Sequence, residues 1–216
     1  MNNFGWTGSF KEFVDVEKHY LVNTLCLHQY NQTLKEAKEN PVEDGTLSQI
    51  AAWYDCIRYL KDEIPFIEHL PGYLIFEYEI LRSGRRRPDV LLFLPGELLV
   101  LEFKSYTNVY EDEYIQTSFY VRDLQQYHSA VQKYNLNVRG ALVVTKETKA
   151  IEGIQAYQIY KLGVSGLKNL IQRIEKKLPP TELIPSNDFL SGVFQPLPFI
   201  IESASFYYEG GTTSAD

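Results

Sequence analysis

Three charged side chains, Asp89, Glu102 and Lys104, flank two apolar runs, Val90 to Leu94 and Leu98 to Leu101. Pro95, Gly96 and Glu97 lie between the runs and read as a turn joining two strands. With Pro95 and Gly96 as the central turn residues, Leu94 faces Glu97, and pairing carried backwards sets Asp89 opposite Glu102, about 5 Å away. Lys104 then shares a face with Glu102, because side chains along a strand repeat with a period of two. Near-continuous apolar runs of this kind belong to strands buried on both faces, where charge is costly. Two carboxylates at such a separation repel unless a cation lies between them, and hard oxygen donors with open water positions suit Mg2+ or Mn2+. A lysine beside them can orient or deprotonate an attacking water, or steady the charge building on a scissile phosphate. The chemistry expected of the trio is metal-assisted phosphodiester hydrolysis. The competing reading is an ion-pair network at the end of an exposed hairpin.

Pro88-Asp89 followed by Glu102-Phe103-Lys104 resembles the PD-(D/E)xK signature of the restriction-endonuclease-like nuclease superfamily. The resemblance implies an α/β fold with an αβββαβ core, a central mixed sheet flanked by helices. The chain supplies elements in that order. Leu47 to Ile64 predicts a helix, with Ile50, Trp53, Ile57, Leu60 and Ile64 at helical spacing, Thr46 or Ser48 as cap and Pro65 just past its end. Tyr73 to Ile80 predicts a strand with Leu74, Phe76, Tyr78 and Ile80 on one face and Glu77 and Glu79 on the other. The hairpin follows, and then a polar, tyrosine-rich connection from Ser105 to Val121. A second helix is expected from about Asp123 to Tyr134, with Asp123 and Gln126 as a capping box, and a fourth strand from Arg139 to Thr145. Core residues 47–178 are preceded by a helical extension, residues 1–46, in which Phe10 to about Lys38 predicts one long amphipathic helix. A helix from Gly166 to Lys177 stops before Pro179-Pro180, and residues 179–216 read as irregular.

The resemblance also implies further site residues. The superfamily often adds a carboxylate from the first helix or strand to its metal site, which points to Glu77, with Glu79 and Asp55 as weaker candidates. A solvated strand face is the alternative for Glu77. Gln125, Gln126 and Tyr127 resemble a glutamine-plus-tyrosine motif that positions substrate in some nucleases of this fold, although Gln126 competes as a cap and Tyr127 as a packing residue. His128 reads as a surface or packing residue, since a general base needs reach to the water.

The net charge of −7 argues against nucleic-acid binding by global attraction, so contact must come from a local basic surface and the bound Mg2+ or Mn2+. Arg82, Arg85, Arg86 and Arg87 form such a cluster just before Asp89, with Arg85, Arg86 and Arg87 as expected nucleic-acid contacts; a solvated loop is the alternative. Cys26 and Cys56 are isolated, which points away from a zinc site and fits buried thiols in a reducing, cytoplasmic compartment. No signal peptide and no run of eighteen apolar residues occurs.

The chain broadly resembles the nuclease-like N-terminal domain of bacterial helicase-linked proteins, and its ending, FQPLPFIIESASFYYEG, looks like the segment leading there toward a helicase or ATPase domain. No GxxxxGK[ST] phosphate loop occurs in these residues. The expected function is a metal-dependent deoxyribonuclease acting in repair, restriction or defence, with DNA as partner, RNA left open as substrate and a homodimer compatible with cutting both strands. The alternative is a catalytically weak nuclease-fold module that binds nucleic acid and positions a helicase or other partner. A pure protein-interaction domain leaves the buried-strand charges unexplained. The sixteen tyrosines fit packing better than stacking platforms for single strands.

Overall fold

Residues 3–36, 46–80, 86–106, 108–152, 158–178 and 182–195 are described by the structure, a computed structural model. Apolar runs and turn chemistry build one mixed sheet of seven strands, ordered β1-β2-β3-β4-β5-β7-β6. The strands are β1 (Trp6–Ser9), β2 (Tyr73–Phe76), β3 (Val90–Leu94), β4 (Glu97–Lys104), β5 (Asn137–Val144), β6 (Ile151–Glu152) and β7 (Tyr160–Leu162). β1 to β4 pair antiparallel, β4, β5 and β7 run parallel, and β6 returns antiparallel on β7.

Both sheet faces are covered. On one side, α1 (Phe10–Asp15), α2 (Lys18–Glu36), α3 (Thr46–Glu63) and α6 (Gly166–Glu175) pack with Leu74, Phe76, Leu92, Leu99, Leu101 and Val143. On the other, α4 (Glu111–Tyr127), α5 (Ser129–Lys133) and α7 (Ser186–Leu190) cover Ile75, Leu91, Phe93, Leu98 and Val100. The central strands β3 and β4 are therefore buried on both faces, as their unbroken apolar sequences require. No described helix is long and apolar enough to cross a membrane.

The hairpin has the expected register: Leu94 pairs with Glu97 and Val90 with Leu101. Gly96 takes φ 72° in the Pro-Gly turn, a conformation that glycine adopts without steric cost.

Five expectations are corrected. The first strand ends at Phe76 rather than Ile80, because Glu77 adopts φ 53° and breaks the alternation. As a result Tyr78 and Ile80 join the face of Tyr73 and Ile75, opposite Leu74 and Phe76. The supposed loop up to Val121 is largely α4, which starts at Glu111 because Glu113 reaches back to the Tyr110 N–H at 2.9 Å; Asp123 and Gln126 are interior to it. That helix stops at His128, whose extended backbone bridges Phe194, and α5 follows as a separate turn. The long N-terminal helix is two helices broken at Val16 and Glu17, preceded by an edge strand that pairs with β2. The C-terminal segment is not wholly irregular, since α7 inserts Phe189 into the core.

Candidate active site

Asp89 and Glu102 meet at the C-terminal end of β4, one register step beyond the Val90–Leu101 pair. Asp89 Oδ2 accepts the Phe103 N–H at 2.7 Å, and the Asp89 carbonyl accepts the Glu77 N–H at 3.1 Å. The left-handed turn at Glu77 thus delivers a third carboxyl to the same corner. There Trp53 Nε1, from α3, donates to Glu77 Oε1 at 2.7 Å. Lys104 Nζ lies 3.3 Å from Glu102 Oε1 and 3.3 Å from Glu113 Oε1 of α4. Tyr106 Oη also donates to Glu113 Oε1.

The electrostatics follow from burial. Burial, with Asp89 nearby, pushes Glu102 up to about 8, against the pull of Lys104. Burial and Asp89 likewise raise Glu77 to about 7, opposed by the Trp53 hydrogen bond and by Arg87. Asp89 is also raised by burial, opposed by the Phe103 N–H and Lys104. Burial works against the charge on Lys104, yet Glu102, Glu113 and Asp89 together hold its ammonium above the ordinary lysine value. Three carboxyls that discourage one another's ionisation and one firmly protonated amine form a strongly coupled cluster.

A divalent ion suits this donor set in a particular way. Glu102 Oε2 is buried with no hydrogen-bond partner. Its counterpart at the other end of β4, Glu97, is fully engaged by Arg139 Nε at 2.8 Å and by Asn137 Nδ2 at 2.9 and 3.0 Å. Among the described residues no group of three or more His, Cys, Asp or Glu side chains is gathered to enclose a metal ion. The unpartnered oxygen of Glu102 and the neighbouring carboxyl of Asp89 are hard oxygen donors, the donor type that suits an ion such as Mg2+.

Several expected residues lie elsewhere. Gln125 Nε2 donates to the Leu136 carbonyl at 3.0 Å and its Oε1 accepts the Val138 N–H at 2.9 Å. Val138 pairs with Leu98, four residues along β4 from Glu102, which is roughly 13 Å. Gln125 anchors β5 at the end of the sheet away from Glu102. Gln126 is exposed on α4, one residue further along the same end, and its carbonyl accepts Gln132 Nε2. Tyr127 accepts the Gln195 N–H through its carbonyl at 2.8 Å. His128 is fully buried against Tyr78 and Phe189, and burial pushes its pKa down to about 4. Asp55 is half-buried and pairs with Arg58 at 2.9 Å. Glu79 is buried, with its N–H on the Asn3 carbonyl. Arg86 is exposed and Arg87 partly buried beside Glu77; Arg82 and Arg85 lie outside the described residues.

Three contributors escaped the sequence pattern. Glu113 shares Lys104, Trp53 holds Glu77, and Tyr120, buried under Glu102 and Asp89, accepts Gln116 Nε2 at 2.6 Å. Trp53 was legible only as an apolar helix position, although its indole N–H is a donor that seeks a partner when buried. Comparison of the chain with protein-family models, curated proteins and solved structures returned no match.

Proposed function

We propose that the chain is a metal-dependent nuclease of the restriction-endonuclease-like type, hydrolysing phosphodiester bonds in nucleic acid, with DNA the expected substrate. The observation that carries this is the convergence of Asp89, Glu102 and Lys104 at one buried corner, with an oxygen of Glu102 unpartnered. The order α3, β2, β3, β4, α4, β5 supports it, being the αβββαβ order that the signature implies.

Asp89 and Glu102 are the residues to hold Mg2+ or Mn2+, with Glu77 next to them. A bound divalent ion supplies Lewis acidity at the phosphate and a more acidic water. Lys104, held between Glu102 and Glu113, offers a positive charge to the phosphoryl oxygens or to the attacking water. Glu113 and Glu102 hold that ammonium in place. Trp53 keeps Glu77 oriented toward the carboxyl pair. Arg86 and Arg87, on the segment entering Asp89, are suited to the flanking phosphates.

The test is cleavage of supercoiled plasmid and of single-stranded DNA with Mg2+, Mn2+ or EDTA, for wild type beside Lys104→Ala and Asp89→Ala. The expected result is metal-dependent cutting reduced at least a hundredfold in both variants; cutting that survives both substitutions overturns the assignment. A second reading, a catalytically weak binding module that positions a helicase or other partner, is favoured by one observation: Lys104 is shared between two carboxylates. It predicts nucleic-acid binding that is indifferent to EDTA and no cutting at all.

A further inference from the structure

Helix α2 is apolar on two opposite sides. Leu21, Val22 and Leu25 are buried in the core. Tyr20, Asn23, Leu27 and Tyr30 lie on the other side of the helix and face water, with Tyr20 56%, Leu27 60% and Tyr30 60% exposed. These four are spaced by three, four and three positions, so they stack into one stripe about 15 Å long. From His19 to Leu34 the chain runs sixteen residues without an Asp, Glu, Lys or Arg, although 23% of all its residues are charged. A solvated helix ordinarily turns a charged face outward, and one that is apolar on every side belongs in an interior. A water-facing stripe rich in tyrosine and empty of charge has the composition of a protein interface.

The occupant follows from charge and from spacing. A partner that brought a charge to this stripe would bury it without a counter-ion, so the facing surface has to be apolar and uncharged as well. Two copies of the chain, each at net charge −7, repel one another over most approaches, and α2 is a place where they meet with no like charge at the contact. The spacing of three, four and three reads the same from either end. A two-fold axis through the middle of the stripe therefore sets Tyr20 against the partner's Tyr30 and Asn23 against the partner's Leu27, the reciprocal contact of a closed dimer. Alternating steps of three and four are also the spacing of helices that pack side by side at about 20°. We propose that α2 is the self-association face of the chain, two copies packing antiparallel through Tyr20, Asn23, Leu27 and Tyr30. None of these residues belongs to the Asp89–Glu102–Lys104 corner, so the dimer and the nuclease reading are tested separately.

Sedimentation velocity of the full chain over about 1–300 µM is the test. A contact through one helix per copy falls below the standard interface size, so wild type is expected to associate reversibly, with half of the chain dimeric at about 10–100 µM. Leu27→Lys and Tyr30→Lys, both at exposed positions, are each expected to weaken the dimer at least tenfold while leaving the melting temperature of the dilute monomer unchanged. Orientation is read by cysteine cross-linking in a Cys26→Ser background. Tyr20→Cys mixed with Tyr30→Cys is expected to form a disulfide-linked pair under mild oxidation, and neither variant alone is. A monomer at every concentration overturns the proposal, and so does a dimer that tolerates both lysines. Self-cross-linking of Tyr20→Cys without the mixed product means parallel packing and overturns the two-fold arrangement. A monomeric wild type whose Leu27→Lys variant melts at a lower temperature has the stripe covered from within the chain, which overturns the proposal as well.

Discussion

At the scale of single residues, the site is a balance between burial and partners. Trp53 stabilises the ionised form of Glu77, so its removal matters more where Glu77 is charged. Trp53→Phe is therefore expected to destabilise the fold at every pH through lost packing, with an extra loss of roughly 1.5 kcal/mol above pH 8 compared with pH 5, the worth of a hydrogen bond to a charged group. Denaturant melts at the two pH values check it; equal losses would deny the bond a role. Glu113 is the second such residue. It caps α4 and helps hold Lys104, so Glu113→Ala is expected to lower stability by about 1 kcal/mol and to lower the Lys104 pKa, measurable by NMR titration of the lysine side chain.

At the scale of elements, one residue in an unusual conformation decides which side chains reach the corner. Had β2 continued through Ile80, its register would have set Glu77 opposite Asp89 on the face of Ile75; φ 53° at Glu77 instead ends the strand, returns its N–H to the Asp89 carbonyl and leaves its carboxyl on the Trp53 indole of α3. A period-two pattern cannot anticipate this, because FEYE alternates equally well in an unbroken strand. Gln125 makes the converse point. Its position in α4 was legible, but not its commitment to both Leu136 and Val138. Gln125→Ala is expected to cost about 1–3 kcal/mol by stranding buried backbone groups, while cleavage per folded molecule stays within twofold of wild type. A Gln125→Ala variant that folds normally but loses the cleavage proposed for wild type would restore the glutamine to the site. α7 is the third case: Phe189 stacks on His128 with centroids 4.3 Å apart and meets Phe93 edge-on at 4.6 Å. Phe189→Ala is expected to cost about 3–5 kcal/mol in a urea melt, far more than a peripheral, irregular tail allows.

For the whole molecule, the carboxyl corner couples protons to stability, and on the proposed function a divalent ion as well. The folded-state values of about 7 for Glu77 and about 8 for Glu102 lie above the ordinary 4.5 of an unfolded glutamate, so the native chain keeps protons that the unfolded chain has released. Their favourable contribution is complete below about pH 4.5 and is lost as pH rises through 7 and 8. In EDTA the melting temperature is expected to fall by several degrees between pH 5 and pH 8.5, and Glu102→Gln should flatten the curve. Mg2+ at a hundredfold excess over its dissociation constant should return about 2.7 kcal/mol at the alkaline end, because the ion takes over from the protons. A melting curve unmoved by pH and by Mg2+ alike contradicts a cation site at this corner.

Local chemistry was enough to read the hairpin, its Pro-Gly turn, its register and hence the meeting of Asp89, Glu102 and Lys104, since all of these follow from contacts between near neighbours in the chain. The apolar faces of α3 and β5 were legible for the same reason. What lay beyond it are the edge strands β1 and β6 and the short β7 beside β6, too short to carry a period, and the start of α4, whose cap is formed by a glutamate that also holds Lys104. Also beyond it is which of the many carboxylates and aromatics share a corner. Trp53 meets Glu77 across 24 residues and Glu97 meets Arg139 across 42, so these pairings exist only once the layers have closed on the sheet. Periodicity reports which side of an element is apolar; packing alone decides which polar groups are left facing one another.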